Sequence, residues 1–125
     1  MAKILVIDDD PLNRDIMRAR LEKAGHEVGE AADGDDGFKK SKEILPDLIF
    51  MDVMMPKMDG WTLCRLLKSD AATQAIPIVI LTAGGQEIDR PNSLTAGADA
   101  YLSKPCQPAL LNQMLEKFIL HRQGV

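Results

Sequence analysis

Short, uninterrupted apolar runs alternate along the chain with longer stretches in which apolar residues recur at helical spacing. Three runs are the clearest: Ile4–Ile7, Leu48–Met51 and Ile78–Leu81. Because these runs are continuous, they are typical of strands that are buried on both faces of a parallel sheet. Two weaker strands are predicted: an edge strand at His26–Ala31, which has a single large apolar residue, and a short strand at Ala100–Ser103.

Helical patterns fill the gaps between these runs. The first follows Asp10, a suitable N-cap, and ends before Gly25, a preferred helix stop. Its apolar positions are expected mainly on one face: Leu12, Ile16, Met17, Leu21 and Ala24. The poorest of these patterns contains Pro91, which must lie in the first turn of the helix or cut the helix short. The five predicted helices are Pro11–Ala24, Gly34–Leu45, Gly60–Lys68, Gln86–Ala96 and Pro108–Arg122.

Strand and helix therefore alternate five times along the chain. This order predicts an α/β fold, (βα)5, in which a doubly wound, five-stranded parallel sheet carries helices on both faces. Right-handed crossovers leave few topologies for such a sheet. Ligands of such sheets bind beyond the carboxyl ends of the strands, near a switch in strand order.

Composition and charge exclude several classes of protein. A length of 125 residues is typical of one domain, which is expected to span residues 1–125. The 15 Lys and Arg against 19 Asp and Glu give a net charge of −4, which argues against binding to nucleic acid or to anionic membranes. The apolar runs are too short for a membrane span. Cys64 and Cys106 lack a metal-binding spacing, so free thiols in a reducing cytoplasm are expected.

Polar residues follow four of the predicted strands. Asp8 and Asp9 follow the first strand, Asp52 the third, Thr82 the fourth and Lys104 the fifth. Because parallel strands end at the same edge of a sheet, three carboxylates, a hydroxyl and an ammonium group are expected to converge there.

This combination of groups favours phosphoryl transfer to an aspartate. Converging carboxylates repel one another, and a divalent cation would relieve that repulsion. Mg²⁺ suits oxygen ligands, whereas no cluster of histidines or thiolates indicates zinc. A carboxylate can act as a nucleophile towards phosphorus, and cationic or hydroxyl groups can hold the phosphoryl oxygens.

The same residues lie in segments that resemble the receiver domains of two-component response regulators, of the single-domain, chemotaxis-regulator-like kind. The resemblance covers essentially the whole chain and implies the flavodoxin-like strand order 2-1-3-4-5. The matching segments are Asp8-Asp9 after ILVI, LIFMDVMMPKMDG around Asp52, Thr82-Ala83 after IVIL, and GADAYLSKP ending in Lys104-Pro105.

The resemblance implies a phosphoacceptor and a set of metal ligands. Asp52 would accept a phosphoryl group from a histidine kinase. Asp9 and Asp52 would bind Mg²⁺ directly, and Asp8 would bind it through water. The backbone carbonyl of Met54 would be a further ligand.

The resemblance also implies phosphoryl-binding and switch residues. Thr82 and Lys104 would bind the phosphoryl group. Tyr101 would be the switch aromatic, turning inward when Thr82 moves towards the phosphoryl group. The Lys104-Pro105 bond is expected to be cis, an uncommon conformation even before proline.

The expected role is that of a cytoplasmic signalling switch, and the only reactions it would catalyse are its own phosphorylation and dephosphorylation. The implied partners are a sensor histidine kinase or histidine phosphotransfer protein and a downstream effector or output domain. Direct binding to nucleic acid or membranes is not expected. Pairing of two copies would use the face formed by the fourth helix, fifth strand and fifth helix.

Three other functions are consistent with parts of the pattern. Asp8 and Asp10 satisfy the Asp-x-Asp motif of haloacid-dehalogenase phosphohydrolases, although that family's downstream acidic motif is missing. A flavodoxin-like FMN binder shares the strand order. It would, however, need a phosphate loop rich in glycine and hydroxyl groups after the first strand, where this chain has the acidic segment DDDPLNR. The third alternative is a receiver domain used only for docking, without phosphorylation.

Overall fold

Five parallel strands form a single sheet in the order β2-β1-β3-β4-β5. The structure, a computed structural model, describes residues 2–82, 96–104 and 107–120. Both the parallel sheet and the strand order agree with the sequence prediction, and each strand lies within one residue of its predicted bounds. The strands are β1 Lys3–Ile7, β2 Glu27–Ala31, β3 Leu48–Asp52, β4 Ile78–Thr82 and β5 Ala100–Ser103.

Helices cover both faces of this sheet. Of the predicted helix Gln86–Ala96, residues 86–95 lie outside the described residues, and Ala96 lies in a turn. No helix in the described ranges has the length and apolar composition that crossing a bilayer requires. The helices are α1 Pro11–Lys23, α2 Gly34–Ile44, α3 Gly60–Ser69 and a C-terminal helix, Pro108–Leu115, which continues as a π-helical turn over Glu116–Leu120.

The continuous apolar runs are divided between two core layers. In β1, for example, Ile4 and Val6 face one side of the sheet, while Leu5 and Ile7 face the other. The first core layer also holds buried residues of α1 and the C-terminal helix: Met17, Leu21, Leu111 and Leu115. The second core layer holds buried residues of α3: Leu63, Cys64 and Leu67.

Cys64 is a buried free thiol of the second core layer. Burial disfavours the thiolate and raises the pKa of this group to about 11. The thiol is therefore protonated and unreactive at neutral pH, and its free state agrees with the sequence prediction for Cys64.

Helix α1 begins at Pro11 as predicted but ends at Lys23, one residue earlier than predicted, and its apolar face differs from the prediction. The carboxylate of Asp10 accepts the N–H of Leu12 at 2.9 Å, and Gly25 has a positive φ of 93°. However, Leu12 is 65% exposed and Ile16 is 42% exposed. A helix turns by about 100° per residue, so the row formed by Leu12 and Ile16 lies to one side of the buried row formed by Met17 and Leu21.

Helix α2 ends one residue earlier than predicted. Leu45, which the pattern had included in the helix, takes a left-handed conformation with a φ of 50° and is exposed. Pro46 follows it, and a proline disfavours the α-helical conformation of the residue before it. The left-handed conformation ends the helix, and the Leu45 N–H still bonds to the carbonyl of Ser41.

We expect His26 to make the free energy of unfolding depend on pH. Burial lowers the pKa of this imidazole, although the charge of Asp47 partly opposes the shift, and Nδ1 accepts the N–H of Ala2 at 3.2 Å. As the pH falls below about 6.5, the unfolded chain binds a proton that the folded chain resists, so stability declines. One proton limits the slope to about 1.4 kcal/mol per pH unit.

Urea unfolding between pH 7.5 and 5.5 measures this effect. The His26→Gln variant is expected to show a flatter dependence than the wild type in this range. Equal slopes in the two proteins would contradict the assignment to His26.

Candidate functional site

Three aspartates meet at the carboxyl edge of the sheet. Asp8 follows β1, and Asp52 is the last residue of β3. One carboxylate oxygen each from Asp8, Asp9 and Asp52 lies within 4.8 Å of the others. Asp8 and Asp52 are only 2% and 5% exposed, whereas Asp9 is exposed to solvent. The structure therefore brings together the three carboxylates that the sequence placed at this edge.

Lys104 links two of these carboxylates. Its Nζ lies 3.1 Å from Oδ2 of Asp52 and 3.2 Å from Oδ2 of Asp8. Its backbone N–H donates to the carbonyl of Thr82 at 2.6 Å, which fixes the end of β5 beside β4. Burial disfavours the ammonium form, but hydrogen bonds to the two carboxylates and their charges outweigh burial and raise the pKa of Lys104. Lys104 is therefore a fixed cation at neutral pH.

The Asp52 carboxylate is held in an unfavourable environment. Burial is the main cause of its raised pKa, and the negative charge of Asp8 adds to the shift. Hydrogen bonds from Lys104 and from the backbone N–H of Met54 lower the pKa but do not cancel the effect of burial. A cation that approached the three carboxylates would favour the ionised form of Asp52.

The hydroxyl of Thr82 completes this edge of the sheet. Thr82 is fully buried at the end of β4, and its Oγ1 has no hydrogen-bond partner among the residues that the structure describes. A buried hydroxyl without a partner is costly and rare in folded proteins. A hydroxyl at this position can donate a hydrogen bond to a ligand oxygen.

The remaining predicted residues lie nearby or outside the described ranges. Met54 follows β3, is exposed, and donates its N–H to the Asp52 carboxylate. Tyr101 pairs with Ile80 in the sheet, and its partly buried side chain packs against the second core layer. Pro105 lies outside the described residues, so its peptide conformation stays a prediction.

Sequence reasoning missed two residues that support the site. Arg14 donates from Nη1 to the backbone carbonyl of Asp8 at 2.5 Å. No local signal in the sequence indicates this contact. Gly60 donates its N–H to the carbonyl of Val53 at 2.9 Å and lies against the backbone of Asp52. A glycine at the first position of a helix, where its propensity is poor, was the signal that could have found it.

The donor set fits a hard divalent cation. Carboxylate oxygens are the ligands that Mg²⁺ prefers, and two of these three carboxylates are almost completely buried. The Thr82 hydroxyl and the Lys104 ammonium group lie at the same edge and can hold the oxygens of an anion beside that cation.

Comparison with known proteins places this chain in one family. The family model of the response regulator receiver domain matches residues 4–116. The transcriptional regulator RpaA of Synechocystis is 46% identical over 105 residues, which are 84% of this chain and 44% of RpaA. Protein PilH of Pseudomonas aeruginosa is 42% identical over 105 residues, which are 84% of this chain and 87% of PilH.

A solved structure supports the same assignment. The receiver domain of a sensor histidine kinase from Pseudomonas aeruginosa superposes with a TM-score of 0.87 at 33% identity, over 94% of this chain and 97% of that one. That domain holds a magnesium ion in its active-site cleft. The present chain belongs to the response regulator receiver domain family. It spans less than half of the length of RpaA and 24% of another relative, the response regulator PleD of Caulobacter vibrioides.

Proposed function

We propose that this chain is a phosphorylation-activated signalling switch, in which residues 1–125 act as a single receiver domain. It accepts a phosphoryl group on Asp52 from a sensor histidine kinase or a histidine phosphotransfer protein. The observation that carries this proposal is the meeting of three carboxylates within 4.8 Å, beside the Lys104 ammonium group and the Thr82 hydroxyl, which has no hydrogen-bond partner among the described residues.

Asp8, Asp9 and Asp52 would hold Mg²⁺ together with the backbone carbonyl of Met54. The bound ion would supply positive charge that neutralises phosphoryl oxygens during transfer. The clustering of the carboxylates and the burial of two of them support this assignment, because three carboxylates repel one another and the neighbouring Lys104 supplies a single positive charge.

The chain's own residues carry the transfer step. A carboxylate oxygen of Asp52 attacks the phosphorus of a phosphohistidine, so that an O–P bond forms while the N–P bond breaks. The electron pair of the broken bond stays on the imidazole nitrogen. The ammonium group of Lys104 binds one phosphoryl oxygen, and the hydroxyl of Thr82 donates a hydrogen bond to another. The domain catalyses only its own phosphorylation and dephosphorylation.

The phosphoryl group would then change the packing beside β4 and β5. Thr82 would donate a hydrogen bond to the phosphoryl group by moving towards it, and Tyr101 would move inward behind it. Two packed states of this kind differ in the surface that they offer to an effector or output domain. A cis peptide at Pro105 and pairing of two copies through the fourth helix, fifth strand and C-terminal helix belong to the same proposal.

Exposed apolar side chains near the acidic cluster support docking of a protein phosphodonor. Leu12 and Ile16 lie in the first two turns of α1, directly after Asp9 and Asp10, and Met54 lies just beyond Asp52. An exposed apolar patch beside a reactive site is typical of a partner surface.

We place the phosphoryl transfer in the cytoplasm, because the buried free thiol of Cys64 suits a reducing compartment.

Incubation with acetyl phosphate, followed by intact-mass measurement, tests the proposed function. We expect one phosphoryl adduct per chain in the presence of Mg²⁺ and none when EDTA removes the metal. An adduct that forms equally well in EDTA would contradict the role of the metal. The absence of both an adduct and beryllofluoride binding would contradict phosphorylation and favour a domain that acts by docking alone.

A further inference from the structure

Arg14 connects the acidic cluster to the end of β2. It lies in the second turn of α1, and its Nη1 donates to the backbone carbonyl of Asp8 at 2.5 Å. Its Nε donates to Oε1 of Glu30 at 3.2 Å. The side chains of Arg14 and Glu30 are 18% and 25% exposed, so the pair is largely shielded from solvent. One guanidinium group therefore bonds a backbone carbonyl of the site and a carboxylate of the neighbouring strand at the same time.

Glu30 is itself held by further cations. Nη1 of Arg18 lies 2.5 Å from Oε2 of Glu30, and Nζ of Lys40 donates to the backbone carbonyl of Glu30. Each oxygen of the Glu30 carboxylate thus has a different arginine partner. This arrangement leaves little freedom to the Arg14 side chain.

The carbonyl that Arg14 bonds belongs to the peptide group that joins Asp8 to Asp9. On the other side of Asp8, its backbone N–H donates to the carbonyl of Ala31 at 3.1 Å. Oδ1 of the Asp8 side chain accepts the N–H of Asp10 at 2.9 Å. Rotation of the Asp8-Asp9 peptide would change the directions of both carboxylates, and the Arg14 hydrogen bond opposes that rotation.

We propose that Arg14, clamped by Glu30, is a positioning residue that orients the Asp8-Asp9 peptide and thereby sets the affinity of the acidic cluster for a divalent cation. This inference rests on the proposed function, since it concerns the same cation site. The planar guanidinium group can bond two acceptors in different directions from fixed positions. A lysine at position 14 would keep the positive charge but would lack the planar group of N–H donors that bonds two acceptors at once.

A purely electrostatic role of Arg14 predicts the opposite effect. A positive charge close to a cation site repels the cation, so its removal would tighten binding. A positioning role predicts weaker binding when the side chain is removed, because partners that orient metal ligands typically contribute about 10- to 100-fold to affinity. The sign of the change therefore separates the two roles.

Arg18 provides a matched control for Arg14. Both arginines lie on α1 and pair with the Glu30 carboxylate, and in the described contacts only Arg14 reaches Asp8. Arg14→Ala, Arg14→Lys and Arg18→Ala are compared by calorimetric titration with Mg²⁺. In the same proteins without metal, hydrogen exchange of the Asp10 amide reports on the order of the acidic loop.

We expect Arg14→Ala to raise the dissociation constant for Mg²⁺ about tenfold and to speed exchange of the Asp10 amide. Arg14→Lys is expected to restore little of either property. Arg18→Ala is expected to change the dissociation constant by less than about twofold, as is usual for an exposed ion pair. Circular dichroism at the titration temperature verifies that each variant is folded.

Tighter Mg²⁺ binding by Arg14→Ala, or equal effects of Arg14→Ala and Arg18→Ala, would overturn the positioning role. Full rescue by Arg14→Lys would also overturn it, because charge alone would then suffice. A wild type that binds no Mg²⁺ would overturn the proposed function and, with it, the effect of Arg14 on affinity. Wild-type binding with an unchanged Arg14→Ala variant would overturn the positioning role alone.

Discussion

Replacement of Asp52 by Asn is expected to abolish the Mg²⁺-dependent phosphoryl adduct completely and to stabilise the metal-free protein. An amide of the same shape lacks the anionic oxygen that attacks phosphorus. It also removes a charge that the fold buries beside Asp8. Because the folded-state pKa of Asp52 lies above its unfolded value, ionisation costs stability as the pH rises through that interval, and the cost is fully present above the folded-state pKa.

We expect this stabilisation to be on the order of 1 kcal/mol, the usual size of the effect of one substitution. Urea unfolding without metal measures it, and intact mass after treatment with acetyl phosphate measures the adduct. Asp15→Asn is the control for net charge, because Asp15 lies on the exposed side of α1. It is expected to leave both the adduct and the stability nearly unchanged.

Asp8→Asn distinguishes the receiver mechanism from a phosphohydrolase mechanism. With Asp52 intact, this variant keeps its nucleophile, so it should still form the adduct, although more slowly because the metal site is weakened. An adduct that persists in Asp52→Asn but disappears in Asp8→Asn would contradict the receiver assignment of the nucleophile. It would favour the haloacid-dehalogenase chemistry that the Asp8-x-Asp10 spacing left open.

Substitution of Gly60 by Ala is expected to cost about 3 kcal/mol of folding free energy, the upper end for overpacking in a well-packed core. A Cβ at position 60 would lie 2.4 Å from the carbonyl oxygen of Asp52 and 3.0 Å from Cα of Val53. Both neighbours are backbone atoms and cannot rotate away. The start of α3 or the end of β3 must therefore shift, and β3 carries the proposed phosphoacceptor.

Gly29→Ala is the matched control for this substitution. A Cβ at Gly29 would meet Cδ1 of Ile44 at 3.1 Å and Cδ1 of Leu5 at 3.5 Å, both at the ends of side chains that can adjust. We expect Gly29→Ala to change stability by less than about 1 kcal/mol and to keep the adduct. Gly60→Ala is expected to lower both the urea midpoint and the rate of adduct formation. Equal stability of the two variants would contradict the close approach at Gly60.

Sequence patterns predicted the strands more closely than the helices. A continuous run such as Ile4–Ile7 can be buried on both faces only between two layers, so it defines a strand without reference to the rest of the chain. Helix faces are harder to predict, because Leu12 and Ile16 repeat at the same spacing as Met17 and Leu21. The choice of which row meets the sheet depends on how the helix lies across it.

Sequence by itself determined that Asp8, Asp9, Asp52, Thr82 and Lys104 would lie at one edge of the sheet. Each lies at or just after the carboxyl end of a strand, and the carboxyl ends of parallel strands share one edge, so residues as far apart as Asp8 and Lys104, 96 positions along the chain, were expected at the same edge. Only the tertiary structure decided which charges pair at that edge. Arg14 and Arg18 look equivalent along α1, yet the position of Glu30 on β2 directs one of them to Asp8. Such pairings depend on the register of neighbouring strands and the tilt of a helix, which are long-range properties that no local pattern encodes.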